Sequence, residues 1–132
     1  MNLGNDLGNA WRLVRALVTL AVLDAIYLST YGQKFSQMMV KIQGKPISLK
    51  VPPTIVVYVL IFVAWTYFIY IVRNRYSMRE NVLRGFILGV TTYGIYDFTN
   101  MAIIDGWSFK NAIVDTLWGG ILYALVTLVA LI

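Results

Sequence analysis

The sequence predicts an all-α integral membrane protein: a four-helix up-down bundle with a short interfacial helix between helices 1 and 2. Hydrophobic residues make up 59% of its 132 residues and charged residues only 13%, whereas soluble domains carry roughly a quarter charged residues. Four apolar runs come close to the roughly 20 helical residues that cross a hydrocarbon core. The connections between these runs are short, which makes neighbouring helices antiparallel.

The four predicted helices belong to one transmembrane domain that covers residues 1–132. They occupy about residues 13–31, 53–72, 82–104 and 112–132. The opening stretch MNLGNDLGNA has no basic segment of the kind that begins a signal peptide, so the first run predicts an uncleaved anchor. Aromatic residues gather near several of the helix ends, as they do in the interfacial belts of multi-pass membrane proteins.

The first connection predicts the short interfacial helix, over about residues 34–43. Its apolar side chains follow the spacing i, i+3, i+4 and i+7, at Phe35, Met38, Met39 and Ile42. Polar side chains fall between them, which is typical of a helix lying in the plane of the membrane interface. Gly44 and Pro46 are expected to end it.

Composition excludes several kinds of chemistry. The chain contains no cysteine and no histidine, which excludes disulfides, the usual zinc sites and any Ser-His or Cys-His nucleophile. We therefore expect no cofactor and no metal, we identify no catalytic residue, and an enzyme is the less favoured class. The net charge of +5 does not indicate a nucleic-acid partner, because the basic residues lie at the ends of apolar runs, beside lipid headgroups.

The basic residues divide by type between the two sides of the predicted bundle. One side carries six arginines, and the other carries five lysines: Lys34, Lys41, Lys45, Lys50 and Lys110. This small difference favours cytoplasmic termini under the positive-inside rule.

Three acidic residues fall within the predicted helices: Asp24, Asp97 and Asp115. At roughly 1.5 Å per helical residue, all three lie in the leaflet nearest the first and third connections, within about 6 Å of one another in depth. No basic residue lies at that depth, so three carboxyls cannot all stay ionised at low cost. A proton, water or a bound cation is expected to compensate them.

Helical periodicity turns all three acids toward the bundle interior, as expected for ionisable groups inside a membrane. The three helix faces together predict one acidic-aromatic pocket. Its predicted ligand- or proton-binding residues are Asp24, Asp97, Thr99, Asn100 and Asp115. Its predicted walls are Tyr27, Tyr31, Tyr93, Tyr96, Trp107 and Trp118.

Three functions stay open on this reasoning. Intramembrane acids usually mark sites or pathways, so the leading hypothesis is a transporter that binds or translocates a proton or a small cationic solute. The first alternative is a non-transporting membrane protein that binds lipid or a protein partner, with its buried polar residues holding helices together. The second is a membrane-embedded enzyme that modifies lipid with paired carboxyls.

Small residues predict close helix packing. Gly85 and Gly89 form a GxxxG spacing on helix 3, and they are predicted to lie away from the helix face that carries Asp97. Gly119 lies on helix 4. Such residues let helices approach closely. They serve packing either within the bundle or within a homo-oligomer, for which a dimer is favoured.

The stretches LDAIYL, YGQKF, GVTTYGIYDFTNMAIIDGW and VDTLWGG resemble those of a family of predicted membrane proteins, domain of unknown function 2177. The matching positions are Asp24, Gly32, Phe35, Tyr96, Asp97, Thr99, Asn100, Trp107, Asp115, Trp118 and Gly119. The resemblance spans nearly the whole chain, although the Lys-rich first connection departs from the family pattern. It implies four helices and supports the same site residues. It implies no activity, because the family has none assigned.

Overall fold

The computed structural model describes residues 3–132, and all regular structure in that range is helical. The four long helices are α1 (Leu3–Gln43), α2 (Val51–Trp65), α3 (Met78–Ile103) and α4 (Phe109–Leu131). The predicted all-α fold is confirmed. The first two residues of the predicted domain, Met1 and Asn2, lie outside the described range.

Three helical segments are long and apolar enough to cross a membrane: residues 6–43, 51–75 and 109–131. Helix α3 has 26 residues, which is sufficient length, but it is not among these three. It is a more polar helix whose buried residues include Asn81 and Asp97. Many large apolar side chains on the other helices are exposed, such as Val59 and Val63 of α2, which suits contact with lipid.

Residues 34–43 are helical, as predicted, but they continue α1 and do not form a separate interfacial helix. No proline interrupts the chain there, and a single glycine such as Gly32 is tolerated inside a helix. The helix ends where Gly44 adopts φ of +75°, a left-handed conformation common just after a helix. With 41 residues, α1 is about 62 Å long, so both ends extend past the apolar run predicted for it.

Helix α2 is extended by a short π-helix over Thr66–Tyr70, where the Ile71 amide donates to the Thr66 carbonyl at 3.0 Å. A 3₁₀ turn over Arg73–Arg75 follows. The helix predicted to run unbroken to residue 72 therefore changes its winding after Trp65. This turns the buried side chains of Ile69 and Tyr70 into the bundle.

Local sequence explains where α3 and α4 begin. Ser77 and Glu80 form a capping box: the Ser77 hydroxyl accepts from the Glu80 amide at 3.3 Å, and the Glu80 carboxylate accepts from the Ser77 amide at 2.8 Å. The Ser77 hydroxyl also donates to the Glu80 carboxylate at 2.7 Å, and this bond together with the one from the Ser77 amide lowers the pKa of Glu80. At the start of α4, the Ser108 hydroxyl accepts from the Asn111 amide at 3.2 Å.

Contacts between helices follow the up-down order. Arg15, near the start of α1, donates to the Ala130 carbonyl at the end of α4, at 3.1 Å. The core lies between α1, the α2–π segment and α4, and its members include Leu20, Trp65, Ile69 and Tyr123. Because α1 and α4 run antiparallel, positions near residues 24 and 115 meet on the same side of this core.

Helices α3 and α4 pack backbone to backbone. A Cβ placed on Gly89 would overlap the Gly119 carbonyl, and one on Gly85 would lie 2.5 Å from Thr127 Oγ1. The GxxxG glycines therefore pack within the bundle, against α4, and Asp97 of the same helix is also buried.

Candidate functional site

The three intramembrane carboxyls divide by their hydrogen bonds into two adjacent groups. Asp24 lies in a hydrogen-bonded group with side chains from three other helices. Asp97 and Asp115 are buried neighbours at the interface of α3 and α4. Within residues 3–132, no three acidic side chains are grouped in a way that would hold a metal ion.

Asp24 joins all four helices. Its Oδ2 accepts from the Tyr58 hydroxyl of α2, and its Oδ1 accepts from the Tyr93 hydroxyl of α3 at 3.4 Å and from the Trp118 indole N–H of α4 at 3.2 Å. The Asp24 side chain is only 6% exposed. Three donors can satisfy a buried carboxylate without a cation, so this group fits a structural role.

Asp97 has the opposite environment. Its side chain is 0% exposed, and neither of its carboxyl oxygens has a hydrogen-bond partner among the described residues. A buried polar group without a partner costs about 1–3 kcal/mol, and more when it is charged. Asp97 is therefore the most unfavourably placed carboxyl in the bundle if it is ionised.

The neighbours of the Asp97–Asp115 pair are polar but are not hydrogen-bonded to it. Trp107 interacts with Asp97, and Tyr27 interacts with Asp115. The Tyr27 hydroxyl and the Trp107 indole N–H are nevertheless both buried without a hydrogen-bond partner in the part of the chain that the structure describes. Each carboxyl of the pair therefore has one buried donor group beside it whose hydrogen-bonding capacity is unused.

Aromatic rings form a continuous stack beside the pair. Tyr27 stacks on Trp118 at a centroid distance of 4.7 Å and on Tyr31 at 5.6 Å. Beyond Tyr31, edge contacts lead through Phe35 to Trp107. Since Trp118 also donates to Asp24, this stack connects the two carboxyl groups and limits access of water to them.

Not every predicted site residue reaches the carboxyls. Thr99 is exposed, because two residues along a helix turn a side chain by roughly 200° from Asp97. Tyr96 is 58% exposed and touches the group only through an edge contact with Trp107, at 6.0 Å. Asn100 is half-buried and interacts with Tyr96, not with Asp97.

The predicted site omits two residues that contribute polar groups, Tyr58 and Asn111. Tyr58 lies about four residues from the middle of the second predicted span, at the depth of Asp24, and this position was the available signal. Asn111 is buried, and its Oδ1 accepts from the Tyr31 hydroxyl at 3.1 Å. A phenol on an otherwise apolar helix resembles an interfacial belt residue, so only the tertiary contact identifies Tyr58.

The acid pair sits in closely packed surroundings. Asp115 is 9% exposed, and its helix neighbours Thr116 and Gly119 are buried. Two open cavities, of about 520 and 150 Å³, lie at the arginine-rich end of the bundle. The buried neighbours of Asp115 show that the two carboxyls lie in a closely packed part of the interface between α3 and α4.

Comparison with known proteins supports the membrane assignment. The family described as predicted membrane protein (DUF2177) matches residues 10–132. No curated protein and no solved structure matches the chain. The matched range contains all three intramembrane aspartates and all four helices except the first turns of α1. The chain belongs to the DUF2177 family of predicted membrane proteins.

Proposed function

We propose that this membrane protein binds and translocates a proton, and that the Asp97–Asp115 pair is the group that holds it. The observation that carries the proposal is the environment of Asp97: a fully buried carboxyl, without a hydrogen-bond donor, whose nearest ionisable neighbour is a second carboxyl. No other described acid in the chain has this combination.

Electrostatics supports a shared proton. Two carboxylates in contact repel each other strongly where the dielectric constant is low. No lysine or arginine is among the groups that act on either of them. A single proton between the two oxygens removes one negative charge and supplies the donor that Asp97 lacks.

The packing favours a proton over a cationic solute. A small amine needs a cavity lined by acceptors and aromatic faces. Close to Asp97, a Cβ on Gly94 would lie only 3.3 Å from Thr116 Cγ2, and the aromatic stack packs beside the pair. A proton needs no such space, since it moves along hydroxyls, carboxyls and single waters.

The pair is closer to one membrane surface than to the other, which supports a proton entrance from that side. Asp115 lies in the second turn of α4, after the connection that carries Asp105 and Trp107. Lys34 lies over the Tyr31 ring at 4.8 Å, and the Tyr31 hydroxyl donates to Asn111. We propose that Tyr31, Asn111 and Tyr27 line the entrance.

The test is proton flux in proteoliposomes driven by a potassium gradient and followed with an internal pH-sensitive dye. We expect wild-type protein to conduct protons, and Asp97→Asn and Asp115→Asn to lose at least tenfold of the rate. Asp105→Asn is the matched control, because this exposed acid lies near the same surface and its removal changes the net charge equally.

A second measurement separates binding from transport. In infrared difference spectra across a pH step, the band of a protonated carboxyl should be present in wild type, absent from Asp97→Asn and shifted in Asp115→Asn, where Asp97 stays buried but loses the carboxyl that shares its proton. A band that persists unshifted in both variants overturns the shared-proton site. If the band depends on these residues but wild-type protein shows no proton flux, the proton-binding site is retained and translocation is overturned.

A structural role, the first alternative, is favoured for Asp24 alone, because its three hydrogen bonds link all four helices. The homo-oligomer remains a prediction. Its main sequence support is weakened, since Gly85 and Gly89 contact α4 of the same chain.

A further inference from the structure

We propose that the arginine-rich end of the bundle binds the phosphate of an anionic phospholipid headgroup. An open groove of about 520 Å³ lies at this end, between the first turns of α1 and the connection from α2 to α3. A smaller cavity of about 150 Å³ adjoins it and shares Arg12, Arg73 and Asn74 with it. The groove lies at the opposite end of the bundle from the acid pair.

Three arginines line the groove: Arg12, Arg15 and Arg73. Gly4 and Gly8 form part of its wall, and the absence of side chains there leaves space for a ligand. Arginine presents a planar set of donors that matches phosphate oxygens in pairs. Three arginines around one groove are therefore suited to a phosphate and not to a cation or a neutral solute.

Two of these arginines are held in place by hydrogen bonds. Arg73 Nη1 donates to the Tyr70 carbonyl and Nη2 to Asn9 Oδ1, each at 2.8 Å, and its guanidinium lies 3.9 Å from the Tyr70 ring centroid. Arg15 Nη2 donates to the Ala130 carbonyl at 3.1 Å. Because these two side chains are already held in one conformation, less conformational entropy is lost when a ligand binds.

The charge around the groove is positive. All six arginines of the chain lie at this end, including Arg75, Arg79 and Arg84, and the acids near them are Asp6 and Glu80. The Glu80 carboxylate is engaged by Ser77 in the capping box. The arginines therefore exceed the acids by four at this end, which attracts anions from the surrounding solution and membrane surface.

The location selects a lipid as the source of the phosphate. The groove lies at the ends of the apolar segments 6–43 and 51–75, where headgroups are found. Trp11 lines it and is 62% exposed, as is typical of tryptophan at a membrane interface. A phospholipid can place its phosphate among the arginines and its chains against exposed residues such as Val14 and Val18.

The test uses full-length protein in nanodiscs of phosphatidylcholine with increasing fractions of phosphatidylglycerol, and counts retained lipids by native mass spectrometry. We expect wild type to retain phosphatidylglycerol at low fractions, and Arg12→Gln to need about tenfold more. Arg12→Lys keeps the charge but loses the paired donors, so we expect an intermediate loss. Arg79→Gln is the control, since Arg79 is exposed and is not part of the groove wall.

Equal losses in Arg12→Gln and Arg79→Gln would overturn the site, because they would indicate general attraction by surface charge. A parallel arm adds inorganic phosphate to phosphatidylcholine nanodiscs. Arg12-dependent binding of inorganic phosphate without retention of phosphatidylglycerol overturns the lipid as the source and leaves a free phosphate. If Arg12→Gln does not yield folded protein, Arg12→Lys against Arg79→Lys makes the same comparison with charge unchanged.

Discussion

Asp24 and Asp97 are the same side chain at similar depth in the bundle, and both are buried, but their surroundings differ completely. Asp24 accepts hydrogen bonds from α2, α3 and α4, whereas both oxygens of Asp97 lack a partner among the described residues. Burial alone therefore does not identify a functional carboxyl in a membrane protein. The supply of hydrogen-bond donors separates a carboxyl that holds helices together from one suited to hold a proton.

The largest expected effect comes from a substitution that separates α3 from α4, because this disrupts both the group around Asp24 and the Asp97–Asp115 pair. Gly89→Leu places a side chain where the Gly119 carbonyl lies, and backbone on both sides prevents relaxation. Overpacking typically costs about 1–3 kcal/mol, and we expect a loss above this range because α3 and α4 must separate. Thermal unfolding in detergent measures the loss of stability, and proton flux should disappear with it.

Gly32→Ala is the matched control for that substitution, since a Cβ at Gly32 meets nothing within 4 Å. Alanine is favoured over glycine inside a helix by about 0.8–1.0 kcal/mol, so this variant should be at least as stable as wild type. A Gly89→Leu protein that unfolds at the wild-type temperature would contradict the close packing of α3 on α4.

The next effect is specific to the structural carboxyl. Asp24→Leu leaves the Tyr58 and Tyr93 hydroxyls and the Trp118 indole N–H without their acceptor. Each unsatisfied buried group costs about 1–3 kcal/mol, and partial rearrangement should limit the total to about 3 kcal/mol. Asp24→Asn keeps one acceptor oxygen and should cost less. The unfolding free energies of the two variants should therefore differ, and equal values would count against the four-helix role of Asp24.

A smaller loss of stability is expected from a substitution at the start of α3, far from both carboxyl groups, and it serves as a reference for them. Ser77→Ala removes the N-cap of α3, for which the usual loss is about 1 kcal/mol. The wild-type cap lowers the pKa of Glu80, so its contribution is complete above the pKa of the unfolded chain and is lost as pH falls through the folded value. Unfolding midpoints measured against pH should show a smaller acid-dependent decrease in Ser77→Ala, with proton flux unchanged.

The smallest expected effect on stability distinguishes the functional carboxyl. Asp97→Asn replaces the shared proton by an amide N–H of similar size that can donate to Asp115, so no buried group is left without a partner. We expect the unfolding free energy to change by less than about 1 kcal/mol, while proton flux is lost. A destabilisation as large as that of Asp24→Leu, with flux retained, would make Asp97 a structural residue like Asp24.

Much of the fold could be predicted from the sequence, because it depends on local patterns. Long apolar runs determined four helices and the membrane environment. Ser77 with Glu80, and Gly44, mark helix ends through chemistry that acts within a few residues. The end of α1 was harder to predict: residues 34–43 are amphipathic, but nothing in them breaks the helix, so they continue α1.

The sequence by itself also determined which residues are unusual: three aspartates without a cation at the same depth. Only the tertiary structure decided how they divide, because hydrogen bonding depends on which side chains other helices bring to each carboxyl. Tyr58, Tyr93 and Trp118 meet at Asp24, while the contact of Gly89 with Gly119 brings α3 and α4 together near Asp97 and Asp115. Periodicity gives the direction of each side chain from its own helix axis, but the partner it meets is set by how the helices pack.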